Sequence, residues 1–287
     1  MAGSSHSFIE VADRIWVARY EWFDVNVTLV GGSTGLAVVD THSSTRAAGE
    51  VIDDIRRLGV GPVTTVVNTH DHFDHVFGND AFRTAYGDLP IHAHEVAAEA
   101  TPETGLAVQR RYEADPDDPH RDEILETRIV PADVTFSSAR VLDLGDRRVE
   151  LLHPGRGHTG GDLVVSVPDA DVLLAGDLVE ESGAPMYGED SFPLDWPATL
   201  DNLLGMTTAD SVIVPGHGAP VDRNFVEQQR LDVGQVAFTI EELAGHGVSV
   251  NEALAAGEWP FPATGLTDAV RRGYAHLPAN ARRLPLA

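Results

Sequence analysis

Between residues 8 and 40 the apolar positions come in short alternating runs. They are Ile15, Val17 and Tyr20, then Val25, Val27 and Leu29, then Leu36 to Val39, with Gly31-Gly32 between the last two. Period-two alternation interrupted by glycine predicts a meander of strands. From Thr45 to Leu58 the apolar spacing changes to positions 47, 48, 51, 52, 55 and 58, one stripe of a helix, which Gly59 ends ahead of a buried strand at Val63–Val67. Strand, helix, strand is the pattern of an α/β layer. A second cycle runs through 141–151, 163–167 and 172–175, then a helix near 197–206 and a strand at 212–214. In both cycles an aspartate, Asp40 or Asp177, stands just beyond a hydrophobic strand, a weak internal repeat. Two packed sheets with helices outside satisfy both halves.

The stretch between the halves, 97–128, is polar and helix-prone but broken by Asp115-Pro116-Asp117-Asp118-Pro119, so it predicts helix, exposed loop, helix with a solvated charged face. After Pro220, Val226, Val233, Val236, Ala237, Ile240, Leu243 and Ala244 recur at intervals that fit one long amphipathic helix. Shorter helices are expected over 251–256 and 266–277. The expected division is a main domain over 1–222 and a helical extension over 223–287 packed on it, because so short a piece without cysteine would be marginal alone.

Charge and composition narrow the chemistry. Against 45 Asp and Glu stand 20 Lys and Arg in 287 residues, a net charge of -25. Such a field repels polyanions, so neither nucleic acid nor an anionic membrane is an expected partner. The chain has no cysteine and no lysine, which excludes thiol nucleophiles, disulfides, cysteine-ligated zinc and lysine Schiff bases. Residues 1–19 lack the basic and apolar regions of a secretory leader, and no apolar run approaches membrane-spanning length, so the expected location is cytoplasmic.

The 13 histidines are the unusual feature. Directly after Val63–Val67 comes Asn68-Thr69-His70-Asp71-His72-Phe73-Asp74-His75, which sets three histidines and Asp74 within six residues. At strand spacing His70 and His72 point the same way, while a turn at Phe73 lets Asp74 and His75 face a second point. That geometry suits two adjacent metal ions. Imidazole and carboxylate ligands suit zinc and also iron, manganese or nickel. Three later residues stand in glycine-rich turns: His158 in Pro154-Gly155-Arg156-Gly157-His158-Thr159-Gly160-Gly161-Asp162, Asp177 in Ala175-Gly176-Asp177-Leu178, and His217 in Pro215-Gly216-His217-Gly218. Singly each is a weak signal, since such turns are common; in this order they complete a coordination set.

Asp40, the H-x-H-x-D-H run at His70 to His75, His158, Asp177 and His217, in chain order, resemble the pattern of metallo-β-lactamase-fold hydrolases, with a glyoxalase II-like metal-binding set. The resemblance covers residues 10–222. It implies an α/β fold, a four-layer αββα sandwich, with the site at one edge between the two halves. It also implies that His70, His72 and His158 hold one ion, that Asp74, His75 and His217 hold a second, and that Asp177 bridges them. Asp40 matches an aspartate that orients a ligand rather than binding metal.

Departures from the family narrow the subfamily. Carboxylate at Asp177 excludes the lactamases with a cysteine ligand, Glu180 stands where acyl-homoserine lactonases have tyrosine, and the charge conflicts with nuclease branches. The pairs Arg271-Arg272 and Arg282-Arg283 are unspecific candidates for gripping an anionic thioester. The expected function is therefore a dinuclear hydrolase, with two Zn2+ or with iron or manganese instead. A metal-bridging hydroxide would cleave an ester, thioester, lactone or amide of a small molecule. Asp74 is the expected catalytic carboxylate, orienting the hydroxide and passing its proton to the leaving group. The alternative is a mononuclear Fe(II) sulfur dioxygenase on the same fold.

The remaining histidines read differently. His92-Ala93-His94 mimics a second H-x-H, but it leads from a strand at 89–91 into a helix and reads as structural. His42 and His153 lie near the site in sequence, and His6, His120, His246 and His276 read as surface or packing residues. Trp22 and Phe23 fall at a hairpin tip where the family has a flap. With Tyr187 and Trp196, from the irregular segment 185–196, they are the candidate substrate wall. The competing reading for Trp22, Phe192 and Trp196 is packing in the core.

Overall fold

The computed structural model describes residues 8–278; His6 and Arg282-Arg283 lie outside them. The opening meander is β1 (Ile9–Ala12), β2 (Ile15–Tyr20), β3 (Val25–Gly32) and β4 (Gly35–Val39). Helix α1 (Thr45–Leu58) starts where the Ser44 hydroxyl accepts from the Ala47 amide, and ends where left-handed Gly59, at φ 66°, returns its N–H to Ile55. Next come β5 (Val63–Val67), the single turn α2 (Phe73–Val76), α3 (Asn79–Tyr86), β6 (Ile91–His94), α4 (Glu95–Glu113), α5 (Arg121–Glu126) and β7 (Val134–Phe136). The second half holds β8 (Ala139–Asp143), β9 (Arg148–Leu152), β10 (Val164–Val167), β11 (Val172–Glu180), α6 (Trp196–Leu204) and β12 (Val212–His217). Helices α7 (Arg223–Gly245), α8 (Val250–Ala256) and α9 (Thr267–His276) follow.

Alternation along the strands builds the layers. Ile15, Val17, Val30, Ala37, Val39 and Val67 face across to Leu142, Val149, Leu151, Leu163, Val165 and Val214, a core between two sheets. The other face of the first sheet, with Trp16, Ala18 and Tyr20, packs on Val51, Ile52 and Ile55 of α1 and Phe82 of α3. The other face of the second, with Leu173, Ala175 and Ile213, packs on α6, α7 and α9 through residues such as Leu200, Val233 and Val270. The result is the helix, sheet, sheet, helix order that the sequence resemblance implies.

The strand order is β7-β6-β5-β4-β3-β12-β11-β10-β9-β8, with β2 paired to β3 off this path and β1 paired to β2. The two halves join through one pair, His217 with Val25. β4, β5, β6 and β7 run parallel to one another, and so do β11 and β12. The residues at and beyond their carboxyl ends therefore collect at one edge, the usual place for a site in an α/β sheet. Gln229 of α7 reaches that edge: its side chain donates to the Leu178 carbonyl (2.8 Å) and accepts from the Glu180 amide (3.0 Å).

Three sequence expectations change. Asp177 lies inside β11 rather than in a turn, because Gly176 at φ 53° makes a bulge that shifts the β11/β12 register around it. The strand expected at 89–91 runs over Ile91–His94, so His92 and His94 are sheet residues. α3 and β7 add to the expected elements, being too short to show a long periodic pattern. No helix among the described residues is long and apolar enough to cross a membrane.

Candidate metal centre

Seven side chains expected from the sequence meet at the sheet edge. His70 lies three residues beyond β5, and His72 sits at the N-cap of α2. The single turn of α2 then swings Asp74 and His75 to a different side. His158 lies in a loop fastened by Asp162, whose carboxylate accepts from the Thr159 amide (3.0 Å) and hydroxyl (2.7 Å). Asp177 rides the β11 bulge, and His217 ends β12.

Asp177 is central. Its Oδ2 lies 3.8 Å from His70 Nε2, 3.5 Å from His158 Nε2 and 3.2 Å from His217 Nε2. Its Oδ1 lies 3.1 Å from His75 Nε2. Asp74 Oδ2 is 3.3 Å from His217 Nε2 and 3.6 Å from His75 Nε2. Donor atoms lie within 4.8 Å of one another in three sets: His70, His72, His158 and Asp177; Asp74, His75 and His217; and Asp177, Glu180 and His217.

The donor chemistry fits a cation. His70 Nε2 and Asp177 Oδ1 are buried with no hydrogen-bond partner, which is costly unless an ion satisfies them. Nitrogens that could donate electron pairs face each other, His72 Nδ1 to His158 Nε2 at 2.8 Å and His75 Nε2 to His217 Nε2 at 3.2 Å. The opposite ring nitrogens are all engaged. His75 Nδ1 donates to Asp40 Oδ2 (2.8 Å), His217 Nδ1 to the Phe23 carbonyl (2.7 Å) and His158 Nδ1 to the Met186 carbonyl (3.0 Å). His72 Nε2 donates to Asp190 (3.0 Å), and His70 Nδ1 is 3.0 Å from the Thr69 hydroxyl. Such outer bonds fix tautomer and ring orientation, leaving one nitrogen of each ring for the centre.

Charge follows the same layout. Burial opposes the charged form of His217, yet the Asp177 carboxylate wins and raises it to about 10. Burial likewise opposes His72, which the Asp190 hydrogen bond raises to about 9. Burial first and His72 second push His158 down to about 4. Asp177 is held well below its usual range, since His217, His75 and His70 outweigh its burial. Glu180 goes the other way, up to about 7, through burial and then the neighbouring Asp177 charge.

Sequence reasoning missed Asp190 and met Glu180 only as a departure from the lactonases. Asp190 is one acid among 45 and has no local signature. Glu180 stands three residues after Asp177, and its side chain accepts from both the amide and the hydroxyl of Ser182.

The candidate substrate wall divides. Trp22 and Phe23 form a turn beside the centre, with Phe23 44% exposed. Trp196 and Tyr187 do not present a wall: both are buried in the core that α6 and α7 close, Trp196 as the first residue of α6, and the Trp196 indole N–H is used on the Leu178 carbonyl. Trp196 instead backs His158, with ring centroids 5.8 Å apart. Outside the cluster, His94 caps α4 by accepting from the Val96 amide and stacks on His153 at 4.2 Å. His92 is buried in β6, and His42 packs its ring against Tyr20. Arg271 is paired with Glu189 and Asp268, and Arg272 donates to the Ser191 carbonyl.

The geometry has relatives. The chain is 28% identical over 203 residues to a metallo-beta-lactamase type 2 of Bacillus sp. (strain 170), covering 70% of this chain and 69% of that protein. It is 25% identical to the linear primary-alkylsulfatase of Pseudomonas sp. (strain ATCC 19151), covering 89% of this chain and 54% of the relative. A solved metallo-beta-lactamase from Pontibacter korlensis shares the fold, with a TM-score of 0.64 at 21% identity over 80% of this chain and 99% of that one. The family model for the metallo-beta-lactamase superfamily matches residues 20–217, which include every member of the cluster, and the chain belongs to that superfamily of hydrolases.

Proposed function

We propose that the protein is a dinuclear metal-dependent hydrolase, zinc being the first metal to test, that cleaves an ester, thioester, lactone or amide of a small molecule. The observation that carries this reading is two adjacent donor sets, with Asp177 of the first lying 3.1 Å from His75 and 3.2 Å from His217 of the second, and buried atoms of His70 and Asp177 left without hydrogen bonds. His70, His72 and His158 would hold one ion, Asp74, His75 and His217 the other, and Asp177 would serve both. Ions there would supply Lewis acidity, lowering the pKa of water from about 15.7 toward about 7 and drawing off charge that develops on an attacked oxygen.

The chain's own residues do the rest. Asp74, its carboxylate beside both His75 and His217, orients the attacking water and passes its proton toward the leaving group. Asp40, Asp190 and the carbonyls of Phe23 and Met186 keep the four rings they touch from turning. The β2–β3 turn at 22–24 borders the centre, its Phe23 carbonyl hydrogen-bonded to His217 and its Phe23 ring against Phe73. A net charge of -25 favours a small-molecule substrate over a nucleic acid.

Metal analysis with a substrate panel tests the reading. Protein loaded with zinc is expected to hold two ions per chain and to hydrolyse at least one of nitrocefin, a lactone, a thioester, an aryl ester and an alkyl sulfate. Occupancy that never exceeds one ion with zinc, iron or manganese refutes the dinuclear site. Iron-dependent oxygen uptake with a persulfide substrate would put a sulfur dioxygenase in its place.

A further inference from the structure

The turn that borders the centre adopts a backbone that its own residues do not favour. Phe23 and Asp24 both have left-handed conformations, at φ 63° and 59°, and neither is glycine. Consecutive residues of this kind persist only where their surroundings hold them. Three contacts hold this turn, two from its own half of the fold and one from the end of β12. Arg19 pairs with Asp24, the Asp24 carbonyl accepts from the Gly218 amide at 3.1 Å, and Phe23 meets Phe73 edge-on at 5.5 Å. A fourth comes from the segment between the two halves. His120, at the end of the loop 114–120 between α4 and α5, lies flat on Trp22, with ring centroids 3.8 Å apart and planes 11° apart. The His120 ring is anchored in turn by Glu123, at the start of α5.

We propose that His120 is a positioning residue: its stack on Trp22 latches the 22–24 turn, and through the Phe23 carbonyl that turn sets the orientation of His217. The link to the centre is direct, because the Phe23 carbonyl accepts from His217 Nδ1 at 2.7 Å and so aims Nε2 at Asp177 and Asp74. The loop that looks like a solvated acidic insertion thereby gains a task, holding one wall of the site from outside. No comparable stack reaches His70, His72 or His158 from that loop among the described contacts, so the effect should fall on the Asp74, His75 and His217 set alone.

The inference rests on the dinuclear reading for its metal readout, so the test has an arm without metal. Hydrogen exchange of metal-free protein is followed in peptides covering 20–26 for wild type, His120→Ala and His120→Phe; the phenylalanine keeps a flat ring for Trp22. Exchange in that segment is expected to speed up in the alanine variant and to return toward wild type in the phenylalanine variant. In parallel, zinc titration against a chelator is expected to show the weaker-bound ion losing about tenfold in affinity in His120→Ala with the other ion unchanged, and recovering in His120→Phe. The latch is overturned if exchange at 20–26 is the same in all three proteins, if both ions weaken equally, or if His120→Phe is as impaired as His120→Ala. Should wild type bind fewer than two ions, the dinuclear reading fails while the exchange arm still decides the latch.

Discussion

Asp40 Oδ2 accepts a 2.8 Å hydrogen bond from Nδ1 of His75, and the same carboxylate takes the amide and the hydroxyl of Thr69, each at 2.8 Å. Three donors converge on one buried acceptor at a residue held in the left-handed region, at φ 63°. Asparagine tolerates that backbone, so Asp40→Asn tests the acceptor without breaking the turn. It offers one acceptor oxygen where three donors arrive, and its amide N–H faces a donor. We expect metal affinity at the His75 set to fall about 10- to 100-fold with the fold intact. Equal affinity in a chelator competition would remove Asp40 from any role in orienting His75.

Gly216 has no room for a side chain, because a Cβ there would overlap Asp177 Oδ1. The Pro215-Gly216-His217 end of β12 thus carries glycine for close approach rather than for an unusual φ. Gly216→Ala should displace the Asp177 carboxylate, which lies against members of both donor sets, so both ions are expected to be lost together while the far-UV circular dichroism stays near wild type. Retention of either ion at wild-type affinity would show that Asp177 is free to shift.

Much of this was legible in the chain because the signals were local. Ser44 and Gly59 bracket a helix whose apolar stripe lies between them, and the ligand run follows a strand immediately. Asp190 and the carbonyls of Phe23 and Met186 were not legible, since they reach the site through tertiary folding of irregular segments that carry no periodicity. The aromatic segment after Asp177 misled for a related reason. Composition marks Trp196 and Tyr187 as large and apolar, but only the packing of α6 and α7 decides that they face inward. The bulge at Gly176 is also tertiary in origin, since the register of β11 against β12 defines it.

His92 supplies a test of stability against pH. Burial, with a smaller push from Arg140, lowers it to about 4 from 6.5. Between these values the unfolded chain binds the proton and the folded chain does not, so stability is full above about pH 6.5 and falls as pH drops toward 4. Replacing the group with His92→Gln removes that share. Melting temperatures of the two proteins between pH 7 and pH 4 should therefore converge or cross as pH falls, the wild type losing a few degrees more. Activity at pH 7 should stay within a few-fold, because His92 is not among the convergent donors. Parallel melting curves would mean that His92 takes up its proton in the folded state as readily as in the unfolded chain.

Asp74 is where binding and chemistry should come apart. Its carboxylate lies against His75 and His217 but makes no contact with His70, His72 or His158 among the described ion pairs, so its loss should spare the first set. Asp74→Asn keeps the shape and one oxygen and removes the charge that takes the proton of the attacking water. With metal supplied in excess, kcat is expected to fall by roughly 10²–10⁴. KM should move much less, because the lost interaction acts in the transition state rather than in binding the substrate. The discriminating measurement is kcat and KM alongside ion content on the same preparation. Full turnover with both ions bound would strip Asp74 of its catalytic role, and a loss of the second ion in proportion to kcat would make it a ligand only.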